Sequence, residues 1–335
     1  MRNRTFTFLG IFVLLALVGG LAFLSQLQPF GNPSQRQILE IPNGASFSEV
    51  SNLLHQRQLI KSRWAFSWMG RVLGADRNII PGEYEFQGGM APADVLDKIT
   101  QGDVVQYAVT IPEGYTIEQI AGILQEKGLA DQEAFIKVTR DSQFLSQLDF
   151  HVDDLEGYLF PDTYHLTRDM TPEAIVQVMV SRFKKSWTAD LYARAAELDM
   201  SVHQIVTLAS VIEKETGLSQ ERGLISGVFH NRLRKKIPLQ SDPTVIYALA
   251  QFDGDLRKKD LTVDSPYNTY RFRGLPPGPI ANPGEASLRA ALYPIPTNYL
   301  YFVSRNDGSH QFSATLAEHN SAVKKYQLQL RRRSS

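Results

Sequence analysis

The stretch SVHQIVTLASVIEKETG, Ser201 to Gly217, reads as one helix with its own start and stop. Ser201 followed by Gln204 makes a capping box, and Gly217 closes the far end. Val202, Val206, Ala209 and Glu213 recur at intervals of four, three and four residues, so Glu213 extends an apolar stripe instead of facing solvent. Burial disfavours an ionised carboxyl, and a raised pKa suits a general acid that must hold its proton near neutral pH. The same position admits another reading, an ion pair between Glu213 and a neighbouring Arg near the helix end. By this spacing Lys214 and Glu215 fall on other faces of the helix.

Working outward, the chain beyond residue 130 is rich in helical periodicity. Helices are expected over 132–139, 172–185, 188–197, 202–216, 220–235, 243–249 and 283–292. One hairpin stands among them, Tyr299–Val303 and His310–Ala314 around the turn signal Asn306-Asp307-Gly308. The ending Arg331–Ser335 reads as a frayed tail. Towards the N-terminus, Ile41-Pro-Asn-Gly44 returns seventy residues later as Ile111-Pro-Glu-Gly114. Each copy follows a short strand, 37–41 or 106–111, and precedes a Ser- or Thr-capped helix, a β-turn-α unit used twice. Between the copies Pro81–Phe86 reads as a strand and Ala91–Thr100 as a helix started by Pro92 and stopped by Gly102.

Phe6 to Leu24 is an uncharged run of 19 residues, roughly 28 Å as a helix and close to a bilayer core. Arg2 and Arg4 precede it and no charge follows until Arg36, which places a tail at 1–5 in the cytoplasm and the rest outside. A cleaved signal peptide is the rival reading, disfavoured by the length of the run and by the bulky Ala22-Phe23-Leu24. Residues 25–37, with Pro29, Gly31 and Pro33, read as a linker. The expected fold class is therefore α+β: an N-terminal transmembrane helix (6–24), a small module at 38–105, and a mainly helical domain at 106–330 with a small antiparallel sheet. The order of elements in 38–105 resembles a LysM-like wall-binding fold, against the plainer reading of a structural spacer.

Composition narrows the chemistry. Of 335 residues 43% are hydrophobic and 21% charged, enough apolar material for packed cores. Lys and Arg number 35, as do Asp and Glu, so no surplus of positive charge exists to neutralise phosphates and nucleic acid is not an expected partner. There is no Cys, which removes disulfides, thiolate-held metals and thiol catalysis. The seven His fall in no metal-binding spacing, and neither a seryl-nucleophile motif nor a phosphate loop occurs. No metal and no cofactor is called for, and acid–base work by a carboxylate remains.

Three segments combine Tyr with Asn, Gln, Asp and Thr among Gly and Pro: 156–164, 239–247 and 265–284. Flat aromatic faces and directed hydrogen-bonding groups fit a sugar-binding cleft. The plainer alternative makes Asp242-Pro243 and Asn282-Pro283 helix N-caps with Pro at the first helical position.

Six ordered motifs, IPNG/IPEG, EGYLFPDTY (156–164), LASVIEKETG (208–217), NRLRKKIPLQSDPTVIYAL (231–249), YNTYRFRGLPPGPIANPG (267–284) and YLYFVSRNDGSHQFSATLAEHN (299–320), together resemble the endolytic murein transglycosylase family, the YceG-like lytic transglycosylases. The resemblance runs from about Ile38 to the C-terminal helix. It implies that Glu213, the first Glu of the EKE triplet, is the catalytic acid/base. It also implies cleavage of nascent peptidoglycan between N-acetylmuramic acid and N-acetylglucosamine, leaving 1,6-anhydro-muramic ends and terminating glycan elongation. Tyr158, Gln240, Asp242, Thr244, Tyr267 and Asn268 are the candidate substrate contacts, with Glu221 and Asn231 in support. Peptidoglycan strands are the implied partner, with membrane-bound polymerases beside them, at the bacterial cytoplasmic membrane with the catalytic domain outside. A hydrolysing muramidase and a membrane-tethered, non-catalytic peptidoglycan-binding scaffold are the competing readings. The scaffold predicts Glu213 exposed or ion-paired, with no groove beside it.

Overall fold

The computed structural model describes residues 2–249 and 251–328, so the basic ending at Arg331–Arg333 lies outside the described residues. Two compact units are present: Met1–Ala108 with His165–Met170, and Val109–Tyr164 with Thr171–Ser335. The architecture is mixed, mainly helical, with two-stranded sheets and one apolar N-terminal helix.

In the first unit, α1 spans Arg2–Gln26. Its portion Phe8–Gln26 has a mean hydropathy of 2.5 and no buried residue, so it is long and apolar enough to cross a membrane. Strand β1 (Arg36–Ile41), helices α2 (Phe47–Gln56) and α3 (Arg63–Val72), strand β2 (Gly82–Gln87) and helix α4 (Pro92–Gln101) follow. β1 and β2 pair antiparallel with Leu39 opposite Tyr84. Their alternation turns Leu39, Ile41, Tyr84 and Phe86 onto Val50, Leu54, Phe66, Val95 and Ile99, all buried. The stretch expected as a linker is bonded to the turn after β2. Gly89 N donates to the Phe30 carbonyl at 2.8 Å, Gly88 N to that of Gln35 at 2.9 Å, and the Gln87 side chain to that of Pro33 at 2.7 Å. Helix α3 had no counterpart in the sequence reading. Ser62 caps it by accepting from Ala65 N, but Trp64 and Trp68 on its outer face blur the apolar stripe that would announce it.

Strand β3 (Tyr107–Thr110) leads into the second unit and pairs with β4 (Thr163–Leu166). Helices α5 (Ile117–Glu126), α6 (Gln132–Val138) and α7 (Ser142–Gln147) lie between these strands. Then come α8 (Pro172–Ser186), α9 (Ala189–Glu197), α10 (Val202–Glu215), α11 (Ser219–Arg234), α12 (Asp242–Ala248) and α13 (Glu285–Leu292). The antiparallel hairpin β5 (Tyr301–Ser304) and β6 (His310–Ser313) and helix α14 (Leu316–Val323) close the described chain. The helices expected beyond residue 130 are present to within about two residues at each end. In the repeated unit, Ser46 with Glu49 and Thr116 with Gln119 form complete capping boxes. Gly44 and Gly114 sit at φ +78° and +75°, a conformation that favours glycine at the turn of each copy.

One side chain joins three motifs of the second unit. Asn282 Oδ1 accepts from Leu159 N at 2.8 Å, and its Nδ2 donates to the Tyr115 carbonyl at 2.9 Å and to Glu156 at 2.8 Å. Asn282 is fully buried and is not a helix cap, since α13 starts at Glu285 after Gly284. Asn282→Ala would strand these buried partners, at a cost of about 3 kcal/mol. The expected outcome is a lowered chemical-denaturation midpoint, checked beside Asp255→Ala on the exposed surface, which should leave it unchanged.

Candidate active site

Helix α10 is buried over Ile205–Ile212, and its last turn presents two carboxyls to different surroundings. Glu213 turns to a tight polar seat: its side chain is 6% exposed, accepts from Gly284 N at 3.0 Å, and pairs with Arg222 at 3.2 Å. Glu113 approaches the same Arg222 at 3.7 Å, and burial together with the Glu213 charge raises the Glu113 pKa. The ion pair held open as the alternative in the sequence is thus present at Glu213.

Glu215 lines a pocket of about 560 Å³ shared with Arg232, Gln240, Asp242, Tyr270 and Tyr301, rimmed by the β5–β6 hairpin and α14. Its Oε1 accepts from Ser241 Oγ at 2.5 Å. Desolvation by the surrounding protein pushes its carboxyl up to about 7; the Ser241 bond and Arg232 act downward and Asp242 upward. Glu215 lies on another face of α10 from Glu213, as its spacing indicates, and that face borders the pocket. α10 has no solvent face along its buried body, so a residue two positions from Glu213 is also enclosed.

The pocket wall is set by Arg232, itself 7% exposed. It donates to the carbonyls of Leu300 at 2.6 Å and of Pro238 and Leu239 at 3.0 Å, and to Gln240 Oε1 at 3.3 Å. Tyr301 lies over its guanidinium at 5.1 Å. Gln240 adopts φ +50°, a left-handed conformation uncommon outside glycine, held also by its N–H to the Thr269 carbonyl at 3.1 Å. Asp242 opens α12 behind Ser241 and accepts from Tyr270 OH at 2.5 Å.

Of the residues read from the sequence as substrate contacts, Gln240 and Asp242 reach this pocket. Tyr158 does not: it is 2% exposed, packed on Phe150 and Phe183 and bonded to His203 Nδ1 at 2.8 Å, which leaves no face for a ligand. Thr244 and Asn268 are fully buried. The first bonds the Ser241 carbonyl and Thr269, and the second bonds the carbonyls of Leu261 and Val263 and the N–H of Tyr270. Both brace loops around the pocket from behind. Tyr267 is half-buried against Tyr247 at 5.0 Å, outside the pocket lining. Glu221 fixes His310, another lining residue, through Nδ1 at 2.7 Å, and Asn231 donates to the carbonyls of Thr297 and Tyr299. Sequence reasoning missed Arg232, Tyr301, His310 and His319 because their approach depends on the hairpin folding over α11. Tyr270 stood inside a quoted motif, one turn residue from the ones chosen.

The YceG-like family model matches residues 39–325. The chain belongs to the YceG-like family. It is similar to the endolytic murein transglycosylase of Bacillus subtilis (strain 168), 37% identical over 92% of this chain and 91% of that protein. The protein of that name from Streptococcus pneumoniae serotype 2 (strain D39 / NCTC 7466) is 31% identical, covering 84% of this chain and 56% of the pneumococcal one. A crystal structure of a yceG-like protein from Listeria monocytogenes, 36% identical, superposes with a TM-score of 0.60 over 86% of this chain and 99% of that one.

Within this YceG-like chain a second carboxyl is also held neutral. Glu156 accepts from Ile117 N at 3.2 Å in the Asn282 brace, and burial pushes it up to about 8. Both folded values lie above those of an unfolded chain, so their contribution to stability is present in full below the ordinary carboxylate range. It is lost as pH rises through about 7 for Glu215 and about 8 for Glu156. Thermal midpoints measured from about pH 5 to pH 9 should therefore fall, and fall less for Glu215→Gln than for the unaltered chain.

Proposed function

We propose that this chain is an endolytic murein transglycosylase whose acid/base is Glu215. Its enzymatic class follows the family and the relatives' shared name; the choice of carboxyl rests on one observation. Glu215 is the buried carboxyl, raised to about 7, that opens on a pocket, whereas the Glu213 oxygens are taken up by the Arg222 ion pair and the Gly284 N–H. The scaffold reading expects Glu213 exposed or ion-paired with no groove beside it; Glu213 is ion-paired, as that reading has it, and the pocket at Glu215 favours the enzyme.

Protonated Glu215 donates to the oxygen between N-acetylmuramic acid and N-acetylglucosamine, and the bond from that oxygen to the muramic C1 breaks as positive charge grows on C1. The resulting carboxylate takes the proton from the muramic C6 hydroxyl as its oxygen bonds C1. The products are an N-acetylglucosamine 4-hydroxyl and a 1,6-anhydro ring, with no water consumed. One carboxyl serves both steps because the nucleophile belongs to the substrate, held at a high effective concentration. Tyr270 offers an aromatic ring beside the pocket for a sugar face, Tyr301 is held between Arg232 and His319 as part of the wall, and Gln240 and Asp242 offer groups for hydroxyl and acetamido contacts. Cutting inside nascent strands ends their elongation next to a membrane-bound polymerase, with α1 as a single-pass anchor, N-terminus in the cytoplasm. In residues 38–105 the order β1, α2, α3, β2 supports a LysM-like glycan-binding module.

Glu215→Gln should lower cleavage of uncrosslinked glycan strands by roughly 100-fold or more, the range of a lost general acid. Glu213→Gln should retain measurable activity with a lowered melting temperature. Mass spectrometry of the fragments decides: anhydro ends made by Glu213→Gln and not by Glu215→Gln support the assignment. The reverse pattern returns the role to Glu213, and reducing ends would make the protein a hydrolase. Activity should also decline as pH rises above about 7, where Glu215 loses its proton.

A further inference from the structure

We propose that the outer face of α3 lies in the headgroup region of the same bilayer that α1 enters, so that the first unit is seated on the membrane through a second, interfacial contact. The inference rests on α1 spanning the membrane. Trp64, Trp68 and Val72 follow one another at four-residue intervals on α3 and are 62%, 52% and 64% exposed, while Ala65, Phe66 and Gly70 on its other side are buried. Two Trp and a Val in one exposed stripe are unusual on a surface bathed by water. Trp is the residue favoured where one end of a side chain is apolar and the other wet.

Contact with α1 fixes the height of this face. Phe23, in the last turn of the apolar helix, meets Trp64 at 5.7 Å and Trp68 at 5.8 Å between ring centroids, both edge-on. Lys61 Nζ donates to the carbonyl of Ser25 at 3.3 Å, at the end of the same helix. Phe23 stands three residues before Gln26, about 4.5 Å along the helix axis from the end of the span. Residues that touch it are therefore level with the boundary between acyl chains and headgroups. The bonds of residues 30–35 to the turn after β2 hold this register, leaving no free tether between anchor and unit.

Charge agrees with a lipid occupant. Between positions 57 and 77 stand Arg57, Lys61, Arg63, Arg71 and Arg77 against the single acid Asp76. A basic rim around an apolar aromatic stripe suits anionic phospholipid headgroups.

The test uses the full chain in nanodiscs containing anionic phospholipid. The chain has three Trp, and Trp187, buried with its Nε1 unpartnered, can be replaced by Phe without losing a hydrogen bond. In Trp187→Phe the remaining emission comes from Trp64 and Trp68. Lipid brominated near the ester carbonyls should remove most of it, and lipid brominated near the chain ends should remove much less. A reporter Leu15→Trp, made with all three native Trp changed to Phe, reads the span itself and should be quenched by the deep bromines. A quenched reporter with Trp64 and Trp68 equally bright in brominated and ordinary lipid would overturn the proposal and leave the span standing. That face would then belong to water or to a protein partner. An unquenched reporter would overturn the span and the proposal together.

Discussion

Helix α10 is buried on every side for eight consecutive residues, Ile205 to Ile212, and this constraint governs the second unit. A helix packed all round cannot slide or rotate without opening a cavity, so its final turn is fixed in position. The two carboxyls that follow inherit that precision. One is spent on the Arg222 ion pair, which joins α10 to α11, and on Gly284 N before α13; the other is left beside Ser241 at the wall of a pocket. A buried ion pair is weak evidence of stability, but it fixes register, and register is what a catalytic turn needs.

The site's chemistry follows from unequal solvation. Glu213 has a guanidinium and a backbone amide to stabilise its charge; Glu215 has one hydroxyl and a neighbouring Asp242 that opposes ionisation. The two carboxyls of one turn thereby meet unequal surroundings, and desolvation raises that of Glu215 to about 7, the property a general acid needs. Arg232 takes part without neutralising the acid, because its donors are committed to Pro238, Leu239, Gln240 and Leu300. It shapes the wall and holds Gln240 in its left-handed turn.

Much of the fold was legible because it is written locally. Capping boxes at Ser46, Thr116 and Ser201, Pro at helix starts and the Asn306–Gly308 turn all announce elements within a few residues. The family was equally legible in six ordered motifs. Individual site roles were less so, since Tyr158, Thr244 and Asn268 carry groups that suit a sugar cleft and spend them on internal braces. Residue type gives hydrogen-bonding capacity; only packing says whether it has been used. The stripe argument for Glu213 was sound about burial, but a stripe distinguishes faces only when another face meets water.

The property on which the assignment turns is that Glu215, raised to about 7 by desolvation, holds a proton near neutral pH at the wall of the pocket. Infrared difference spectroscopy of the carboxylic C=O stretch, titrated in the unaltered chain and in each Glu→Gln variant, tests it directly. The account predicts a band that titrates near pH 7, vanishes in Glu215→Gln and survives in Glu213→Gln. A band that instead vanishes in Glu213→Gln and persists in Glu215→Gln would contradict it.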